Sequence, residues 1–227
     1  MTTDIGLPPF LPFLFPLLSA LPDEVRAALI QSGSQHLALK GDIIWDEGFP
    51  IETVLFLSDG ALSAMSNTEM GKRSFLYGLM PAGSIAGLHA LFEESETQFC
   101  LSALQDSHYL LVPLDRLSAA LDQHPPAWKI CAKELAVGTK FLLNFVNLLA
   151  NTNGYKKLRT LLLWLDRRAA MSPNQFGLKL SQQDIAARIG LSREMVNRML
   201  AGLKEGGYIS LDERGHFRII KPLPAHF

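Results

Sequence analysis

From Trp128 onward, apolar residues recur at alternating steps of three and four: Trp128, Cys131, Leu135, Gly138, Leu142, Phe145 and Leu149. That spacing is the seam of a two-helix coiled coil. A helix over 128–150 is about 33 Å long at ~1.5 Å per residue. Ile130, Val137, Phe141 and Leu148 form a second apolar stripe that can pack on the helix's own roll. A helix this apolar has more surface than one small domain covers, so the pattern predicts self-association. Burial inside its own monomer is the alternative. Gly138 lowers helix propensity but would let two backbones come close.

This helix separates two halves of opposite character. Residues 1–152 carry 8 Lys+Arg against 16 Asp+Glu, and residues 153–227 carry 13 against 6. The front is therefore acidic and the back basic, which points the back at a polyanion. With 227 residues there is room for two domains with real cores, and 48% hydrophobic with 19% charged residues fits a folded soluble protein. Ahead of the helix, "DIIWDEG", "TVLFLSDGALSAMS", "RSFLYGLMPAG" and "YLLVPL" have the length and turn punctuation of strands in a roll. Pro22 to Ser32 predicts a short helix, with Asp23 and Glu24 in its first turn. The expected division is a β-roll over 1–124, the long helix and a hinge over 125–152, and a separate domain over 153–227.

In that last domain, "NTNG" ends the long helix and Asn153 can cap the next one. The segment "YKKLRTLLLWLDRRAA" is amphipathic on Leu158, Leu161, Leu162 and Leu165, and "MSPNQFG" is a loop. "QDIAARIGLSREMVNRML" then has the spacing of a helix-turn-helix. Ala186 lets the two helices cross closely, Gly190 takes the turn, and Ser192 caps the second helix. Ile185, Ile189, Val196 and Met199 pin the pair. "YISLDERGHFRIIK" follows as a hairpin turning near Asp212–Gly215.

A helix N-terminus in a major groove shows its first two turns to base edges. Arginine pairs with guanine O6 and N7, and glutamate accepts from cytosine N4. Arg193, Glu194, Asn197 and Arg198 are the candidate base readers. Ser181, Gln182, Gln183, Ser192, Lys204, Arg214 and Arg218 are candidate phosphate contacts.

With roll, long helix and winged helix-turn-helix in that order, the chain resembles the Crp/Fnr family of bacterial transcription regulators. The likeness is most specific at "LSQQDIAARIGLSREMVNRMLAGLKEGGYI". It implies an α+β fold: an N-terminal cyclic-nucleotide-binding-type, jelly-roll-like β-roll, a dimerisation helix, and a C-terminal winged helix-turn-helix. The cyclic-AMP receptor branch carries Arg-Glu-x-x-x-Arg on its recognition helix, matched by Arg193, Glu194 and Arg198. The iron–sulfur branch has Ser before that last Arg, and Asn197 stands there instead. The resemblance implies a homodimer on a palindromic, TGTGA-like double-stranded DNA site, with RNA polymerase as a further partner. It also implies allosteric control through helix 128–150 and the hinge near Asn153.

The sensor departs from the family. A cyclic-nucleotide cassette carries a Glu for the ribose and an Arg-Ser/Thr-Ala for the phosphate. In "GSIAGLHALFEESETQFCLSA" the Glu position falls on Leu88 and the Arg position on Thr97, with Gln98 and Phe99 following. A buried phosphate without a cation is costly, which speaks against cyclic AMP. Lys72 and Arg73 belong to another strand pairing. Ile85, Leu88, His89, Thr97, Gln98 and Phe99 are the candidate effector pocket, and the effector is unknown. His89 is a candidate haem ligand, which makes a haem-based gas or redox sensor of the same fold one rival reading. A nucleotide-binding regulatory module without DNA is another.

Two cysteines, Cys100 and Cys131, exclude an ordinary four-cysteine iron–sulfur cluster within one chain and form no zinc knuckle. His36, His108 and His124 make no HxH pair, so a cupin-like metal enzyme lacks its signature. No catalytic residue and no metal ligand set is expected. The apolar N-terminus "IGLPPFLPFLFPLLSALP" has no Lys or Arg before Arg26, and Pro8, Pro9, Pro12 and Pro16 would break a spanning helix. We read it as an irregular arm packed on the body or on a partner subunit of a cytoplasmic protein with no membrane role.

Overall fold

The computed structural model describes residues 10, 12–66, 75–93, 95–150, 153–171, 180–211 and 217–226. These form two compact units: the first holds the described residues up to Ser66 and Tyr77–Thr139, the second Phe75, Leu76 and the described residues from Lys140 onward.

The N-terminal arm is broken by its prolines into short pieces. A 3-10 turn at Pro12–Leu14 leads into α1 (Pro16–Ser19), and α2 (Asp23–Ser32) follows. Phe15, Leu17, Leu18 and Leu21 are buried in the first unit's own core, where Phe15 meets Phe56 edge-on at 5.2 Å. From Phe10, which stacks on Phe15, the arm therefore packs on its own roll. Residues 1–9 and Leu11 lie outside the described residues.

The strands are β1 (Ser34–Ala38), β2 (Ile43–Trp45), β3 (Thr53–Asp59), β4 (Ala61–Ser66), β5 (Phe75–Pro81), β6 (Ile85–Ala86), β7 (Cys100–Ala103) and β8 (Ser107–Pro113). They form two four-stranded sheets, in the orders β1-β8-β3-β6 and β2-β7-β4-β5. Strands β3 and β8 read as unbroken apolar runs because both their faces are covered. Leu55, Leu57 and Tyr109 point into the roll interior, shared with Leu62 and Leu101. Val54, Phe56, Leu110 and Val112 point the other way, onto the helices. The turn between β3 and β4 needs Gly60: its φ is +89°, and a Cβ there would lie 2.6 Å from the Asp106 carbonyl oxygen.

Helix α3 (Leu114–Gln123) buries Leu117, Ala120 and Leu121 on the same cluster. Helix α4 (Pro126–Ala150) starts two residues before the expected boundary, with proline in its first turn, where the missing N–H costs nothing. Its first half departs from the expected seam. Cys131 is fully buried in the roll's helix-facing core, and Trp128 and Leu135 pack against that core. These side chains answer to their own chain because α4 leaves the roll through a short connection that lays its first turns on α3 and the arm. Gly138 lies open, with nothing within 4 Å of an added Cβ. Burial pushes the Cys131 thiol up, and Glu134 adds to the effect. Cys100 is raised by burial and then by Asp46 and Glu47. Both are buried free thiols and poor nucleophiles.

In the second unit, α5 (Gly154–Met171), α6 (Gln182–Ile189) and α7 (Arg193–Glu205) precede the antiparallel hairpin β9 (Ile209–Leu211) and β10 (Phe217–Ile219). Asn153 Oδ1 accepts from the Lys156 amide at 3.0 Å, the cap expected of it. Leu158, Leu161, Leu162 and Leu165 are buried, as the amphipathic pattern requires. The expected loop 171–177 falls almost wholly outside the described residues, as does the hairpin turn with Arg214.

Candidate nucleic-acid interface and effector roll

The site on the second unit begins with two caps. Ser181 Oγ accepts from the Asp184 amide at 3.1 Å, and Asp184 Oδ2 accepts from the Ser181 amide at 2.8 Å. This reciprocal box starts α6 and satisfies two otherwise orphaned donors. Ser181, expected at a phosphate, is thus engaged as a cap. The local signal for it is the Ser-x-x-Asp spacing itself. Gly190 ends α6 in the left-handed region at φ +66°, the conformation that makes glycine the turn residue. Ser192 Oγ accepts from the Met195 amide at 3.2 Å and starts α7.

Ile185, Ala186 and Ile189 are buried on one side of the crossing, with Val196, Leu200 and Leu203 on the other. Met199 is only half-buried, and Leu200 and Leu203 do much of the pinning assigned to it. This register leaves Arg193, Glu194, Asn197 and Arg198 exposed together on the first two turns of α7. Among the described residues no ion pair joins Glu194 to Arg198, so the helix does not consume its own charges. Asn197 is engaged: its Oδ1 accepts from Gln182 Nε2 at 3.0 Å, which ties the two helices at the exposed rim. Gln183, Lys204 and Arg218 are exposed.

The wing is attached to α5. Asp166 Oδ1 accepts from the Ile219 amide at 3.2 Å, and the Tyr155 hydroxyl donates to the Pro224 carbonyl at 2.8 Å. Asp166→Ala is expected to destabilise the second unit by about 1 kcal/mol and speed exchange of the Ile219 amide, as removal of one hydrogen bond should. Hydrogen-exchange NMR checks this, and unchanged Ile219 protection refutes it.

Arg188 has no distinguishing mark in the sequence. On α6 it is only 4% exposed, with its guanidinium 4.1 Å from the ring centroid of Phe145 and 5.2 Å from that of Phe141. Burial pushes it down to about 10, so it stays charged at neutral pH. Phe145 is correspondingly buried in its own chain and is not open for the seam. The pairing leaves no local trace, because the rings and the cation come from elements far apart in sequence.

In the roll, the six candidate pocket residues go to different places. Leu88 lies in the helix-facing core and Ile85 packs on it, whereas Phe99 packs on the roll interior. Thr97 is buried and ties a loop: its hydroxyl donates to the Asp46 carbonyl and accepts from the Phe49 amide at 3.0 Å. His89 and Gln98 are exposed. Gly87 stands at φ +86° with the Trp45 indole against it, so a Cβ there would lie 3.2 Å from the ring. No cation occurs among the six, and Lys72 and Arg73 lie outside the described residues. Among the described residues no cluster of three His, Cys, Asp or Glu could hold a metal ion, and no helix is long and apolar enough to cross a membrane.

A two-sheet roll, a long helix and a capped helix-turn-helix with a wing define a class: a cyclic-nucleotide-binding-type roll joined to a helix-turn-helix DNA-binding domain. The family models agree. A cyclic nucleotide-binding domain matches residues 36–124, and a Crp-like helix-turn-helix domain matches 156–223. The chain belongs to the Crp/Fnr family of transcription regulators. It is 28% identical over 176 residues to the global nitrogen regulator of Synechocystis sp., covering 75% of this chain and 78% of the relative. It is 23% identical over 175 residues to the fumarate and nitrate reduction regulatory protein of Escherichia coli, covering 76% and 69%. The solved structure of FixK2 from Bradyrhizobium japonicum matches with a TM-score of 0.73 at 22% identity, over 83% of this chain and 93% of that one. The c-di-GMP-responsive global regulator CLP of Xanthomonas campestris matches at 0.71 and 17%, over 88% and 100%. At these identities the two structures speak for the fold alone.

Proposed function

We propose that the chain acts as a homodimer that reads a palindromic duplex site through α7, with Arg193, Glu194 and Arg198 on base edges. The observation that carries this is the capped N-terminus of α7, which holds two arginines and a glutamate outward on its first two turns. The match of Arg193, Glu194 and Arg198 to the cyclic-AMP receptor branch's recognition helix implies TGTGA-like half-sites, and Arg–guanine and Glu–cytosine pairing is compatible with them. Gln182 and Asn197, bonded to each other, act at the rim, while Gln183, Ser192, Lys204 and Arg218 contact phosphates, and Arg214 is assigned there from the sequence. The working division is a sensor over 1–124, a coupling helix over 125–152 and a DNA-binding domain over 153–227. RNA polymerase is the further partner and the cytoplasm the compartment, as regulation at a promoter requires. Selection of duplexes from a random pool by the purified chain tests the reading. Recovery of a two-fold symmetric site supports it, and recovery of unrelated sequences rejects it.

The effector is not cyclic AMP. Leu88 stands in the core and Thr97 spends its hydroxyl on the Asp46 loop, so neither side chain offers ribose or phosphate a partner. Millimolar cyclic AMP is expected to leave affinity for the selected duplex unchanged. Calorimetry that detects micromolar binding would overturn this. Haem through His89 is the rival, and a Soret band in the purified protein would establish it.

A further inference from the structure

We propose that Arg188 is a positioning residue for DNA recognition: its buried guanidinium, seated on the rings of Phe141 and Phe145, registers the α6–α7 pair on the second half of α4. This inference rests on the DNA-binding reading above.

The seat has two rings at an i, i+4 spacing, one turn apart on α4. The cation lies over both, closer to Phe145. Apolar contacts also join the turn after α6 to α4, where the Leu149 side chain comes 4.0 Å from the position a Cβ on Gly190 would take. Those contacts are non-directional and tolerate small slides of one helix over another. A buried cation does not: off the ring faces it loses their attraction without regaining water. Arg188 therefore contributes register where a hydrophobic residue would contribute only adhesion. The register matters because α7 is joined to α6 through the three-residue turn Gly190–Ser192, so a shift of α6 on α4 carries the base-reading turns with it. A buried charge is also a poor choice for stability alone, since apolar replacements of similar volume are commonly neutral or stabilising.

The test uses the full chain with Arg188→Met, Arg188→Lys, Phe145→Leu and the Arg188→Met/Phe145→Leu pair. Arg188→Met is expected to keep or raise the melting temperature while affinity for the selected duplex falls about ten- to thirtyfold, the size of one desolvated cation–π seat. Arg188→Lys, still charged, should recover part of that loss. The pair should lose no more than Arg188→Met alone. Amide exchange in α6 should quicken in Arg188→Met without DNA present. Wild-type affinity in Arg188→Met, or a loss that tracks a lowered melting temperature in both Arg188 variants, overturns the positioning role. A parent chain that selects no duplex rejects the DNA reading instead. The seat is then judged on α6 exchange alone, where unchanged protection overturns it.

Discussion

A chain carrying Leu142→Lys and Val146→Lys is expected to sediment as a monomer and to bind its palindrome at least about a hundredfold more weakly than the parent. In the single chain Leu142 is 52% exposed, Leu143 60% and Val146 59%. These form one stripe on the second half of α4, and Leu149 continues it half-buried. Each such side chain contributes on the order of 1.5–3 kcal/mol when buried, and a two-fold interface counts it twice. Two lysines per chain would bring four like charges together in place of that burial. Operator binding follows because a palindrome is read by two recognition helices about one helical turn apart, and a monomer offers one. Phe145 stays unchanged in this variant because its ring is already buried against Arg188. Sedimentation velocity decides the matter: an intact dimer in the double variant places the interface elsewhere.

Arg198→Ala is expected to cost about 1–3 kcal/mol per half-site and to relax preference at one base pair in each half. Arg218→Ala on β10 should behave differently in kind. It should weaken every sequence alike and lower the log–log salt slope by roughly one for each phosphate the arginine neutralises. Binding-site selection with both variants at two salt concentrations separates the effects. If Arg198→Ala lowers affinity equally for all sequences, Arg198 is a phosphate clamp and the base-reading assignment fails. A fall in selectivity together with affinity would match a base reader.

Much of the fold is legible in the chain alone. The helix-turn-helix follows from Ile185, Ile189, Gly190 and Val196, since a buried face, a positive-φ turn and a cap are all set within a few residues. The strands of the roll are visible in their punctuation, because Gly60 must be glycine wherever that turn is made. What escapes is every assignment that joins distant segments. The alternating three-four spacing is present in α4, but Cys131 belongs to the roll core and Phe145 to Arg188. One apolar stripe can serve its own domain over one half and lie open over the other, and spacing does not distinguish them.

The order of elements, the acidic and basic halves, and the caps and turn that start α7 can be read from the residues in order, because each depends on local backbone geometry or on composition. Which face of α4 stays open, where Thr97 spends its hydroxyl, and the seat of Arg188 on two aromatic rings emerge only once the chain has packed. Those outcomes depend on which surfaces meet when the chain closes on itself, and burial of a charge or an apolar face is a property of the neighbours that packing brings, not of the residue.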